Sequence, residues 1–277
     1  MDLKKAVERF GTETYADIYN LSSTFSGKIS VFNEVTNSGE SARRRVLETL
    51  PSVSIPSNRV IIRNGETFII GHGNHDEWRG EALRTKYYVL PILATSKVCS
   101  LNQILTSSLP SKLVYGSINF TKNLSLELQE SEVGSNFSFF FPYTETVRKG
   151  NIIVHNSNAY YRVRNVPYVD AAGFLVADCV YLESPVQSLL FSTSGGYDPS
   201  TDTIINPASS TITCFVEEAY LFYDKSSLRA EAVKPGDKSI SCKPVITPNP
   251  GNTLGSYTVL SVDTDTDGVF NCHCRFT

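Results

Sequence analysis

Lys149-Gly150-Asn151-Ile152-Ile153-Val154-His155, then Tyr160-Tyr161-Arg162-Val163-Arg164-Asn165-Val166, then Gly173-Phe174-Leu175-Val176-Ala177-Asp178-Cys179-Val180 is the stretch on which the reading of this fold turns. A turn bearing Gly and Asn opens it, an apolar strand follows, a second strand carries aromatic and Val positions, and a glycine starts a closing strand. The phrase recurs near the end as Lys234-Pro235-Gly236-Asp237 running to Cys242, Ser256-Tyr257-Thr258-Val259-Leu260-Ser261-Val262, and Asp267-Gly268-Val269-Phe270-Asn271-Cys272-His273-Cys274. A looser copy precedes both: Asn58-Arg59-Val60-Ile61-Ile62, Glu66-Thr67-Phe68-Ile69-Ile70, a long polar insertion from Gly71 to Arg84, and Tyr87-Tyr88-Val89-Leu90. Recurrence of one phrase marks a chain built from repeated supersecondary units. The fold class expected is mainly β, with tandem small antiparallel β-barrel or sandwich units. Ser-rich polar segments place the cuts near 98 and 190, giving a first unit at 1–98 with a long loop at 71–84, a second at 99–190 and a third at 191–277.

Composition supports packed β domains. Of 277 residues 41% are hydrophobic and 19% charged, and 14 Tyr and 15 Phe stand against one Trp and one Met. A net charge of −3 creates no field that would gather nucleic acid or an anionic membrane, so any contact with DNA is local. Residues 2–20 read as one or two short helices, because Leu3, Ala6, Val7 and Phe10 share a face at helical spacing and Tyr15, Ile18 and Tyr19 resume it after Gly11. This polar start is not a secretory signal, and no stretch approaches the roughly 18 apolar residues of a spanning helix, so the chain is expected in the cytosol with no membrane partner.

The cysteines are Cys99, Cys179, Cys214, Cys242, Cys272 and Cys274, with no CxxC pair among them. Several lie in strand-like runs such as Thr213-Cys214-Phe215-Val216, and a reducing compartment makes all six buried thiols. In Cys272-His273-Cys274 the thiols share one face of a strand and His273 takes the other, so the three do not converge on a metal.

His72-x-x-His75-Asp76-Glu77 has ligand atoms enough for zinc or iron, but Gly71, Gly73 and Gly80 around it make a mobile polar loop and not a preorganised site. Within that loop His72, His75, Asp76, Trp78 and Arg79 are read as partner-facing, with the sole Trp either an interface anchor or packed back on its own domain. Leu3, Val7 and Phe10 form a second docking face. Arg43-Arg44-Arg45 is a compact basic patch and the candidate DNA-facing element, although in an acidic chain such a run reads first as a solvated or gatekeeper segment. Asp263-Thr264-Asp265-Thr266-Asp267-Gly268 opens like a calcium loop, yet its twelfth position is Cys274 and its flanks are strands, so it reads as a hairpin turn. The chain has no GxSxG elbow, no GxxxxGK[ST] loop and no HExxH pair. A non-catalytic protein without a cofactor is expected.

The order of Ser26-Gly27-Lys28-Ile29-Ser30-Val31, Lys149-Gly150-Asn151-Ile152-Ile153 or Lys234-Pro235-Gly236-Asp237, a Tyr-x-Val strand such as Tyr257-Thr258-Val259, and Asp267-Gly268-Val269 resembles the small β-barrel head-tail joining proteins of tailed bacteriophages. The match covers the ends of the second and third units best, roughly a third of the chain, and that family consists mostly of single small domains. The resemblance implies a virion component of the neck or tail, a homo-oligomeric ring docked on portal, adaptor or tail proteins, and passing contact with phage DNA in its lumen. A second function class, a host-interaction or carbohydrate-binding β-domain, would use exposed aromatics such as Trp78 and the Tyr197-Asp198 pair.

Overall fold

Alternating apolar positions punctuated by Gly, Asn and Asp turns make the described residues mainly antiparallel β. The computed structural model describes residues 13–35, 41–78, 81–92, 94–110, 114–120, 136–198, 200, 202–219 and 233–277. The first six strands are β1 (Glu13–Asp17), β2 (Asn20–Val35), β3 (Ser41–Thr49), β4 (Val60–Arg63), β5 (Glu66–Trp78) and β6 (Glu81–Ile92). They form a closed barrel in the order β1-β2-β3-β6-β5-β4, sealed where Ala16 pairs with Ile62. Tyr15, Leu47, Ile61, Phe68, Ile70 and Val89 fill it. Each such side chain, removed from water, contributes about 1.5–3 kcal/mol before conformational entropy is set against it.

The second sheet holds β7 (Ala94–Cys99), β8 (Val114–Phe120), β9 (Asn136–Pro142), β10 (Ile152–His155), β11 (Ala159–Val163), β12 (Tyr168–Val169) and β13 (Phe174–Leu182). Its order is β11-β10-β7-β8-β9-β13-β12, and β11 also pairs with β13, so the sheet curls back on itself with β12 as a flank. Phe139, Phe141, Ile153, Tyr161, Val163 and Leu175 line its interior. The third sheet is again a closed barrel, β14-β17-β18-β21-β20-β19, from β14 (Val186–Thr193), β17 (Ala208–Glu218), β18 (Lys238–Cys242), β19 (Thr253–Leu254), β20 (Tyr257–Thr264) and β21 (Phe270–Phe276). A small hairpin of β15 (Gly196–Asp198) and β16 (Thr203–Ile205) is inserted after β14. By compactness, 1–98 with 112–181 form one unit and 99–111 with 182–277 another, so the first two barrels lie in one unit.

Counted from its own first strand, and setting aside β12 and the inserted hairpin, each sheet has the same order, 1-2-3-6-5-4. The turn before the fourth strand repeats down to its hydrogen bonds. Arg59, Asn151 and Asn252 each donate N–H to the carbonyl three residues back (Pro56, Arg148, Asn249; 3.0, 3.1 and 3.0 Å). Their own carbonyls accept from Ile70, Val163 and Val259 on the fifth strand at 2.8, 2.9 and 2.9 Å. In the latter two copies the Asn side chain closes the turn as well, Asn151 Oδ1 accepting from Arg148 N and Asn252 Oδ1 from Asn249 N. This corrects the alignment read from sequence: the structural counterpart of Lys149–Asn151 is the turn at Asn249–Asn252, whereas Lys234–Asp237 introduces β18, a third strand. Lys-Pro-Gly-Asp and Lys-Gly-Asn match because both are tight turns into apolar strands.

Two further expectations change. Tyr15 and its neighbours are not helical: Glu13–Asp17 is a strand, with Tyr15 stacked on Phe25 and its hydroxyl hydrogen-bonded to Glu13. Pairing on both sides, to β2 and to β4, outweighs the helical spacing of its apolar residues. The Leu3, Val7 and Phe10 face lies outside the described residues. The polar loop 71–84 is the distal part of the β5–β6 hairpin, where Gly73 to Trp78 pair with Tyr87 to Glu81 after a register shift. The described helix α1 (Leu101–Leu105) starts at a capping box, Ser100 with Gln103, and packs on β17.

Candidate functional site

The β5–β6 hairpin carries the first group of candidate residues, and its pairing decides where their side chains go. Successive strand residues face opposite ways, so His72, His75 and Asp76 do not gather. The ring of His72 stands edge-on to Tyr143, with centroids 5.4 Å apart, while its backbone N–H donates to Ala172 O at 2.8 Å. His75 Nδ1 shares a hydrogen bond with Thr85 Oγ1 at 2.9 Å. Asp76 Oδ2 accepts from Lys86 Nζ at 2.8 Å and Arg84 Nε at 2.6 Å, and these hydrogen bonds, Lys86 first, hold its carboxyl below the usual range. Arg84 also reaches Glu48 at 2.9 Å. Among the described residues no group of three or more His, Cys, Asp or Glu is placed to hold a metal ion. Trp78 ends β5 opposite Glu81; its side chain and all of Arg79 lie outside the described residues.

Arg43, Arg44 and Arg45 are consecutive on β3, opposite Asn33, Phe32 and Val31. The side chains of Arg43 and Arg44 lie outside the described residues; the Arg45 guanidinium sits over the Phe68 ring, 5.9 Å from its centroid.

What sequence reading missed is a joint between the first barrel and the second sheet, built around Arg59. This residue has φ 59 and sends Nη1 to Gly71 O at 3.1 Å and Nη2 to Tyr143 Oη at 3.3 Å. Its guanidinium lies 5.2 Å from the Tyr143 ring centroid and 5.9 Å from that of Tyr87. Beneath it the strands approach closely enough that only glycine fits: a Cβ on Gly71 would stand 2.0 Å from Ala172 O. Val60, Ile69 and Phe174 form one buried cluster across this contact. The arrangement is a rigid connection carrying a half-exposed Arg, His and Tyr surface.

No protein-family model, curated protein or solved structure matches this chain.

The third barrel contains the most buried charge among the described residues. Asp237, 2% exposed, accepts from His273 Nε2 (2.8 Å), Arg275 Nε (2.8 Å), Arg275 Nη2 (2.7 Å) and Lys234 N (2.9 Å). Burial alone would raise its pKa, but the Arg275 hydrogen bonds, then the Lys234 N–H and His273, outweigh it and hold the carboxyl far below the usual range. Glu217, Ser239 and His273 are cross-strand partners in one row on the outer face of β17, β18 and β21, and all three are buried. The opposite, inner face of these strands carries Cys214, Cys242, Cys272 and Cys274, so His273 and the two thiols beside it divide between faces as the sequence implies. The Asp263–Gly268 segment is a hairpin turn in which Asp265 Oδ1 accepts from Asp267 N at 2.9 Å and Val269 N at 2.8 Å. All six cysteines are buried thiols. Alkylation under denaturing, non-reducing conditions is therefore expected to modify six, and an intact mass showing four or fewer would contradict it.

Proposed function

We propose that this chain is a virion structural protein of a bacteriophage neck or tail, whose copies stand in a ring joining head to tail around the DNA channel. The observation that carries the reading is the recurrence of one closed-sheet order in all three sheets. Closed sheets have no open ladder along which copies would add without limit, so such modules stack side by side through their outer faces. The lateral contacts therefore fall to side chains and projecting hairpins instead of edge strands. Val166 (74% exposed), Tyr168 (54%) and Val169 (48%) on and before the flanking β12 supply apolar surface, and the β5–β6 hairpin supplies reach. A head-to-tail contact of this kind is heterologous and closes when its rotation closes. Portal, adaptor or tail proteins are the partners above and below, with DNA passing through the lumen and no membrane involved. The role is assembly, with no catalysis and no cofactor.

Mass spectrometry of purified particles beside a glycan pull-down tests this reading. The chain is expected among the virion proteins at a ring's copy number and unretained on glycans. Retention on glycans with absence from the particle would establish the carbohydrate-binding alternative instead.

The hairpin tip gives a separable prediction. Gly71 and Thr85 are buried, so an exchange spanning the whole of 71–84 would breach the barrel. Replacing only 77–83, beyond the paired Asp76 and Arg84, by a two-residue turn is expected to leave the unfolding midpoint within about 3 °C of wild type. Incorporation into particles should fall at least tenfold. Undiminished incorporation would remove the hairpin from the assembly surface.

A further inference from the structure

Four of the six cysteines converge on the interior of the third barrel, each 0% exposed: Cys214 on β17, Cys242 on β18, and Cys272 and Cys274 on β21. Strand register separates the possible pairs. Cys214 and Cys242 are direct partners across the antiparallel β17–β18 ladder. Directly opposed residues have Cα atoms about 4.5–5.5 Å apart, inside the roughly 4.4–6.8 Å that a disulfide spans. Cys272 pairs with Ile240 and not with Cys242, which makes Cys242 and Cys272 a diagonal pair at about 7–8 Å. Cys272 and Cys274 are two apart on one strand, about 6.6 Å at strand rise, with their side chains parallel. Of these pairs only the first is directly opposed across a ladder, its side chains neighbours on one face of the sheet.

We propose that Cys214 and Cys242 are a latent disulfide, a site of oxidation by low-molecular-weight disulfides such as oxidised glutathione. One of the two thiols, as its thiolate, attacks a sulfur of the small disulfide, whose S–S bond breaks and releases one small thiol. The second cysteine's thiolate then attacks the protein sulfur of that mixed disulfide, forming the Cys214–Cys242 bond and releasing the second small thiol. Two protein thiols are oxidised, one small disulfide is reduced to two thiols, and the two protein protons end on the departing sulfurs. Contact with Cys242 and then burial push the Cys214 thiol up, so in the closed barrel the exchange is slow and waits on opening of the strands or on folding itself. In reducing cytosol the pair stays a dithiol. In an oxidising medium the bond ties β17 to β18, the strands that flank the Asp237 cluster, and the assembled barrel is locked. This inference stands independently of the ring.

The full chain is unfolded and reduced, then refolded in a mixed oxidised and reduced glutathione buffer. Remaining thiols are trapped by alkylation, and linked peptides are mapped. The expected product keeps a strand-dominated circular dichroism spectrum, carries four alkylated cysteines, and has one linkage, Cys214 to Cys242. Its denaturant midpoint is higher than that of the reduced protein and returns on reduction. A Cys272→Ala variant, which leaves the pair intact, is expected to form the same linkage. Six alkylated cysteines in the folded product, a persistent glutathione adduct on Cys214 or Cys242, or any other pairing would overturn the proposal.

Discussion

Replacing Asp237 by Ala is expected to destabilise the third barrel by about 3 kcal/mol at neutral pH, because a buried carboxylate that neutralises and bonds its neighbours is removed while they remain. The four hydrogen bonds it accepts would vanish together, leaving His273, 4% exposed, facing an apolar methyl. Arg275 is partly open to water and can rehydrate, which keeps the loss at the lower end for a buried pair. Hydrogen exchange should accelerate first in Lys238–Cys242 and Phe270–Phe276, the strands that Asp237 precedes and braces. The pH dependence has a definite sign. The carboxyl is lowered in the folded state from its ordinary 3.8, so its contribution is complete above that value and is lost as pH falls through the lower folded-state value. The gap between wild type and Asp237→Ala should therefore be widest at neutral pH and narrow progressively below about pH 4. A gap that stays constant into acid, or a variant as stable as wild type, would mean that the carboxylate is not bracing these strands.

Gly173→Val is expected to cost about 3 kcal/mol and to act at the joint. Gly173 has φ +84, where a β-branched residue is strained by about 1–3 kcal/mol. A Cβ there would lie 2.0 Å from His72 Cδ2 and 2.4 Å from the His72 backbone N, so strand β5 must move away. That movement breaks the bond from His72 N–H to Ala172 O and separates Phe174 from Val60 and Ile69. Loss of hydrogen-exchange protection at the His72 amide, alongside retained protection in the interior of each sheet, is the signature. Wild-type stability with His72 still protected would show that the strands do not approach so closely.

The fold was largely legible because alternation and turn chemistry are local. Asp267-Gly268 in a hairpin turn, the inward thiols of Cys272 and Cys274, and the apolar runs at Val60–Arg63 and Ile152–His155 all follow from residues within a few positions of one another. What escaped depends on partners far along the chain. Nothing near Asp237 announces Arg275, and nothing near Arg59 announces Tyr143. The β5–β6 extension looked like a loop because a two-sided polar ribbon beyond the core has no reason to alternate apolar and polar. Tyr15, Ile18 and Tyr19 looked helical since a few apolar residues in a short window fit either period until pairing with β2 and β4 decides. The triplication was visible as a recurring phrase, but its true register emerged only from the turn hydrogen bonds of Arg59, Asn151 and Asn252.

Cryo-electron microscopy of the complete tailed particle in which this chain is proposed to stand tests the proposed role most directly. The account predicts a closed ring at the neck or tail, with six-stranded barrels side by side around the DNA channel and apolar outer-face residues such as Tyr168 and Val169 at the contacts between copies. Isolated copies on the outer shell, or a particle lacking the chain altogether, would contradict it.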